Sequence, residues 1–390
     1  MKAPQLLLVS MLVSVVSPQA TAAAAVTAIA PPPAPNQQVR ESGRRWLEDH
    51  NGVGLSIGIY DGGRSTFYNF GSTQLDGSHP PTKDTIYEIG SISKTFTGQL
   101  LARAVVEGRA TLNDEAERYL GAAYPNLANG GEKIRLIHLA NLTSQLVDNI
   151  PDLTQVRTVP GEPMAATRMK VIGRYTQEEF LKQLHRVAPT RPPGSDPAQS
   201  NVASMLLGVV LQKIYDESFE VMLAREIEKP LRMGSGTQPD PKLLAKGYTS
   251  EGEALPPFAA KIAWPSVGLR YSTDSLLRYA SWQLVERDAS VKLAHQPTWF
   301  TPDRQQSVAM FWIVSETSRG RRLHYAGGTY GFSSLVELYP EQKLAIVALS
   351  NKAAEGAQDD LRALTANIVE ELRPEPVTSP TPAGVPPAAR

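Results

Sequence analysis

Tyr87-Glu88-Ile89-Gly90-Ser91-Ile92-Ser93-Lys94-Thr95-Phe96-Thr97-Gly98 is the stretch on which the reading of the chain depends. Ile86 to Ile89 reads as a short strand. From Ser91 to Glu107 the apolar period becomes helical: Phe96, Leu100, Leu101, Ala104 and Val105 share a face, and Gly108 ends the run. Ser91 therefore stands where a strand hands over to a helix. Residues three apart on a helix are neighbours, so Lys94 is expected beside the Ser91 hydroxyl. That hydroxyl is a poor nucleophile near neutrality and needs a base within hydrogen-bond reach. A helix N-terminus favours a developing alkoxide over an ammonium, and burial lowers a lysine pKa. A neutral Lys94 can then accept the serine proton. Taken alone, Ser-x-x-Lys is a weak signal, because an N-cap serine followed by an exposed lysine gives the same letters. The strand and glycine in front of it favour the catalytic reading. Ser93 is the poorer nucleophile, since Lys94 adjoins it instead of lying one turn away.

Working outward, Val53 to Tyr60, the turn Asp61-Gly62-Gly63 and Arg64 to Phe70 read as a β-hairpin. The middle of the chain is helical: Ile134 to Leu142, a helix opened by the capping box Thr176-Gln177-Glu178-Glu179 and running to about His185, Val202 to Ile214, and Phe219 to Ile227. Strand character is expected to return from about Leu255. Ser307 to Val314, Arg322 to Ala326, Ser333 to Tyr339 and Leu344 to Leu349 then read as successive antiparallel strands, and Asp359 to Leu372 as a closing amphipathic helix. The β signal sits at both chain ends and the helical signal between them. The fold class this order predicts is α/β (α+β): an antiparallel sheet flanked by helices, built from both ends, with a helical region inserted at about 110–255.

The termini read differently. Lys2 followed by the uncharged apolar stretch Leu6 to Val16 resembles a secretory signal, too short to span a bilayer. Small residues follow, with Ala20-Thr21-Ala22 or Ala22-Ala23-Ala24 as the cleavage site. An uncleaved membrane anchor is the alternative, although no later segment looks transmembrane. The expected organisation is a signal at 1–22, a Pro/Ala-rich linker at 23–37, a folded domain at 38–372 and a disordered tail at 373–390. Lysine plus arginine equals aspartate plus glutamate, 39 against 39, and no long basic run appears, which argues against a nucleic-acid partner. There is no cysteine, so disulfides, thiolate metal sites, a lipoprotein anchor and a cysteine nucleophile are excluded. None of the six histidines makes a spacing such as His-Glu-x-x-His, so no metal and no cofactor are expected.

The run from Tyr87 to Gly98 resembles the nucleophile segment of class C β-lactamases, and equally that of related penicillin-binding esterases and D-alanyl-D-alanine carboxypeptidases. The resemblance continues in order. Gly108 to Leu120 is similar to the family's Gly-Lys-Leu-x-Leu-Asp-Asp loop, and Ile134 to Leu146 to its His-Leu-Leu-x-His-Thr-Ser-Gly-Leu segment. Lys229-Pro230-Leu231-Arg232-Met233 resembles its Pro-Leu-Gly-Met turn, and Val267 to Thr273 its Gly-Leu-x-Ser-Thr stretch. What this implies is the serine β-lactamase/DD-peptidase fold, with Ser91 as nucleophile and Lys94 as base.

Two family motifs are altered. The Tyr-x-Asn motif falls on Gln199-Ser200-Asn201. The resemblance gives Asn201 the role of holding the substrate amide and Lys94, while Gln199 cannot titrate and can only orient a donor. The Lys-Thr-Gly or His-x-Gly motif falls on Tyr325-Ala326-Gly327, so the usual cation is absent, with His324 next to it. Neighbours on a strand point to opposite faces, and Tyr325 is the one expected at the site. It either takes over the proton transfer lost at Gln199 or merely lines the pocket. Gly327, Gly328 and Thr329 are expected along the substrate, with the N–H groups of Ser91 and Gly328 as the oxyanion hole that the resemblance implies. The expected activity is that of an exported, periplasmic, monomeric serine hydrolase opening β-lactams through a Ser91 acyl-enzyme. An esterase or D-alanyl-D-alanine carboxypeptidase acting on peptidoglycan-like peptides, or a non-catalytic penicillin-binding homologue, are the alternatives.

Overall fold

The computed structural model describes residues 35–121, 123–157 and 159–374. The expected signal, most of the linker and nearly all of the tail lie outside the described residues. Helix α1 spans Pro35–Asp49, so the last three residues of the expected linker are helical instead. The hairpin follows as β1 (Gly54–Asp61) and β2 (Arg64–Gly71), turning at Gly62 and Gly63, both at positive φ. Strand β3 (Ile86–Glu88) leads through a 3-10 turn at Gly90–Ile92 into α2 (Ser93–Val106).

The helical middle comprises α3 (Leu136–Ala140), α4 (Met164–Gly173), α5 (Gln177–Leu184), α6 (Asn201–Tyr215) and α7 (Phe219–Leu223), the last running on as a π-helical turn to Glu228. The capping box at α5 forms as read: the Thr176 hydroxyl accepts from the Glu179 N–H at 3.2 Å, and the Glu179 carboxylate accepts from the Thr176 N–H at 2.8 Å. The helix expected at Ile134–Leu142 is only α3, because the chain turns at Asn141 and Leu142 takes φ +67°.

Two expectations for the C-terminal half are corrected. The stretch after Leu255 is not mainly β. After the short β4 (Arg270–Ser272) come α8 (Thr273–Val285) and α9 (Ala289–Ala294). Ser272 caps α8 by accepting from the Ser275 N–H at 3.2 Å, and Asp288 caps α9 from Ser290 at 2.8 Å. Ser307–Val314 is not one strand either. After β5 (Trp299–Phe300), β6 (Gln306–Val308) and β7 (Ile313–Thr317) form a hairpin around Ala309–Trp312. Phe311 sits there at φ +65°, fully buried, its N–H donating to the Ala140 carbonyl at 2.7 Å. Tertiary packing overrides the β period at this point. Strands β8 (Gly320–Gly328), β9 (Ser333–Tyr339) and β10 (Leu344–Ser350) and helix α10 (Ala357–Leu372) complete the chain.

The main sheet is antiparallel with order β2-β1-β10-β9-β8-β7-β6-β5, so both chain ends build it. Strands β3 and β4 pair apart from it, Ile86 opposite Ser272. Strands β9 and β10 are buried on both faces. On one face Leu55, Ile57, Ile346 and Leu335 pack against Val39 and Trp46 of α1 and Leu361 and Ile368 of α10. On the other, Val336, Val347 and Leu349 join the core around α2 and α8. Helix α2 is the centre of that core and is buried nearly all round, polar residues included. Its polar side chains are satisfied locally: the Thr97 hydroxyl donates to the Pro265 carbonyl at 2.7 Å, and the Gln99 amide to the Ser290 hydroxyl at 2.7 Å. Among the described residues no helix is long and apolar enough to cross a membrane.

Candidate active site

The turn that carries Ser91 is clamped from several sides. The Ile89 N–H donates to the Leu269 carbonyl at 3.0 Å. The Ser93 hydroxyl donates to the Gly90 carbonyl at 2.7 Å and accepts from the Leu269 N–H at 3.1 Å. Ser93 is thus occupied in structure. Gly90 takes φ +51°, and a Cβ there would lie 2.5 Å from the Gly328 nitrogen. A Cβ on Gly327 would lie 2.1 Å from the Ile89 carbonyl oxygen and 3.0 Å from the Ser91 nitrogen. Only glycine at both positions lets β8 approach the nucleophile turn this closely.

Lys94 is fully buried, and its ammonium nitrogen has three oxygen partners: Ser91 Oγ at 2.9 Å, Asn201 Oδ1 at 2.7 Å and the Ser266 carbonyl at 3.3 Å. None of them is charged. Burial pulls the Lys94 pKa down to about 7, against the opposing field of the Asp148 carboxylate. Asn201 opens α6, where Ser200 is the N-cap and accepts from the Ala203 N–H at 3.0 Å. Its carboxamide is fixed on both sides: Oδ1 also accepts from the Ser266 hydroxyl at 2.7 Å, and Nδ2 donates to Asn149 Oδ1 at 3.0 Å. The Asp148 main chain and carboxylate both receive the Asn201 N–H, at 2.9 and 3.2 Å.

Tyr325 lies on β8 with its hydroxyl 3.4 Å from the Gln199 amide nitrogen, so the two altered motif positions meet each other. Among the described residues the phenol has no hydrogen bond to Ser91 or Lys94. Burial pushes its pKa up to about 12, with the Gln199 hydrogen bond pulling the other way and Asp148 adding to the rise. It is a neutral phenol near pH 7. His324 occupies the opposite face, where burial and then Arg322 and Arg362 hold it at about 3 and therefore uncharged. The Thr329 N–H donates to Phe332 at 3.0 Å. Since ladder bonds alternate, the neighbouring Gly328 N–H turns away from β9, towards the side where Gly90 and Ser91 stand. The Thr329 hydroxyl lies near the buried Glu88 carboxyl, which accepts from the Phe258 N–H at 2.6 Å.

Sequence reading missed Asp148, Asn149 and Ser266. Ser266 directly precedes the quoted Val267–Thr273 stretch, and Asp148-Asn149 follows Leu146 after the single residue Val147, so both lay at the edges of motifs already singled out. Among the described residues no cluster of histidine, aspartate and glutamate is arranged to hold a metal ion.

The family model described as Beta-lactamase matches residues 37–370. The chain belongs to the β-lactamase family. A β-lactamase of Escherichia coli (strain K12) is 24% identical over 345 residues, covering 78% of this chain and 86% of that protein. The D-alanyl-D-alanine-carboxypeptidase/endopeptidase AmpH of the same strain is 25% identical over 312 residues, covering 75% and 77%. A solved class C β-lactamase superposes with a TM-score of 0.74 at 18% identity, over 88% of this chain and 97% of that one. The β-lactamase/D-alanine carboxypeptidase of Pseudomonas syringae does so at 0.70 and 21%, over 88% and 99%. The fold is that of the serine β-lactamases and DD-peptidases, and the family is the class C-like, penicillin-binding type of serine hydrolase.

Proposed function

We propose that this family member is an exported serine hydrolase that opens β-lactams through an acyl-enzyme on Ser91, in the manner of a class C β-lactamase. The observation that carries the proposal is the buried Lys94 amine, held 2.9 Å from the Ser91 hydroxyl with no carboxylate partner. With its pKa near 7, a large share of the amine is uncharged at neutral pH and can take the serine proton. The Ser91 oxygen then bonds to the lactam carbonyl carbon. The resulting oxyanion rests on the Ser91 and Gly328 N–H groups, and collapse breaks the ring C–N bond, with the proton passing to the departing nitrogen. Asn201 holds the base in place. Water later releases the acyl group from Ser91. Export rests on the N-terminal apolar stretch, Leu6 to Val16.

A second reading is favoured by one residue. Tyr325 puts a neutral phenol where the family resemblance expects a cation, which suits a D-alanyl-D-alanine carboxypeptidase or esterase that acylates and turns β-lactams over slowly. Brief exposure to a penicillin followed by intact-mass measurement tests both. Ser91 should gain the mass of the opened drug, and Ser91→Ala should gain none. Steady release of hydrolysed drug marks the β-lactamase, and a long-lived adduct marks the peptidase. Absence of both adduct and hydrolysis would favour the non-catalytic alternative over the β-lactamase and the carboxypeptidase.

A further inference from the structure

Helix α4 belongs to the inserted region, and its C-terminal half reaches the neighbourhood of Asn201. Ile172 lines the chamber that opens beside Asn149, Asn201 and Ser266. Arg168 lies four residues earlier, on the same face and one turn closer to the helix start. On the other wall, Tyr330 stands three residues beyond Gly327, just past the strand that touches the Ser91 turn. The Arg168 guanidinium lies against the Tyr330 hydroxyl, where its charge opposes the rise in pKa that burial imposes on that phenol. The contact joins helix α4 to the segment that follows β8.

What Arg168 lacks is an anion. Its Nε is buried without a hydrogen-bond partner, and among the described residues its neighbour is a neutral phenol, with no carboxylate paired to it. A guanidinium stays charged at any pH of interest, and holding one half-buried without a counter-charge is costly. At the motif position where a cation is expected Tyr325 is neutral, and burial lowers the share of charged Lys94. A planar donor fork beside a hydroxyl is the arrangement that receives a carboxylate.

We infer that Arg168, with the Tyr330 hydroxyl beside it, binds a carboxylate carried by the acyl donor and so selects anionic substrates at the cleft rim. This rests on the acyl-transfer reading and adds the charge class of the substrate to it. Arg168 is a specificity residue here; it touches no reacting atom.

The test uses two activated esters on the full chain, p-nitrophenyl hydrogen glutarate and its methyl-capped, uncharged counterpart. In each, the Ser91 oxygen bonds to the acyl carbon and p-nitrophenolate leaves, which is read by its colour. Arg168→Ala should lower kcat/KM for the anionic ester by about 10- to 100-fold, through KM. Its rate on the capped ester should stay within about twofold of the parent, a range that mere misfolding would not preserve. Arg168→Lys should recover part of the loss. Equal losses on both esters, or no loss on either, overturn the assignment. If the parent cleaves neither ester faster than Ser91→Ala does, the acyl-transfer reading fails, and this inference fails with it.

Discussion

A lysine with no accessible surface and no carboxylate partner has one inexpensive state, the uncharged one. At Lys94 the penalty for burying the ammonium is only partly offset by Asp148, whose carboxylate acts from the exposed side of the Asn201 loop. The activity should therefore rise with pH as this amine loses its proton. We expect kcat/KM to climb through a single limb centred near pH 7, set by Lys94 in the free enzyme. Tyr325, held up at about 12, should contribute nothing to that limb. Tyr325→Phe should lower the rate, by about tenfold or more if the phenol relays a proton, while the limb stays where it is. A limb that moves in Tyr325→Phe would make the phenol the titrating base and remove Lys94 from that role. The Ser91–Lys94 pair was readable from letters because three-residue spacing on a helix fixes proximity. The direct Gln199–Tyr325 contact was not readable from spacing, since 126 residues separate the partners and it takes the tertiary fold to set the loop before α6 against β8.

At the level of elements, the site is a meeting of one strand and one turn. Strand β8 comes close enough to the Gly90–Ile92 turn that no side chain fits between them, and the Ser334 hydroxyl of β9 ties the two by donating to the Ile89 carbonyl at 2.8 Å. Gly327→Ala would drive its methyl group into that carbonyl and that hydroxyl. Backbone has to move, because the first obstacle is main chain at 2.1 Å. We expect a loss of about 1–3 kcal/mol in stability and a slower acylation of Ser91, read by thermal unfolding and by mass spectrometry. A variant with parental stability and acylation rate would mean that β8 does not set the oxyanion donors. Strands β9 and β10 were legible because their apolar runs match burial on both faces, and β1 and β2 because the Gly62-Gly63 turn between them marks a hairpin. The β6–β7 hairpin was not: its turn is held by Phe311 at positive φ and by the Ala140 carbonyl, neither of which leaves a Gly or Pro in the sequence. Helix α8 did leave signals, in the Ser272 cap and the spacing of Leu276, Ala280 and Leu284, but they were masked by the expectation of continuing strands.

At the scale of the whole molecule, the helical layer is tied to the sheet by a charge network rather than by apolar packing alone. Glu286 ends α8, His295 ends α9 and Arg321 lies in β8. The Glu286 carboxylate accepts from His295 Nδ1 at 2.7 Å and from both Arg321 nitrogens, at 3.2 and 3.0 Å. Arg321 also reaches Glu341, in the turn after β9, at 2.9 Å. Burial works against the Glu286 charge, but the His295 and Arg321 hydrogen bonds outweigh it and hold the carboxyl down at about 2, below its ordinary 4.5. A depressed carboxylate contributes stability that is fully present above its unfolded value and is lost as pH falls through the folded one. The window here runs from about 4.5 down to about 2. Glu286→Gln should therefore unfold at lower urea concentration than the parent at neutral pH, by about 2 kcal/mol. The difference should shrink as both are taken to about pH 2, where the parent's carboxyl also gains its proton. The two midpoints, measured at each pH, decide it. A gap of constant size would mean that Glu286 acts by shape rather than by charge, and the sheet and helical layers would then be joined by packing.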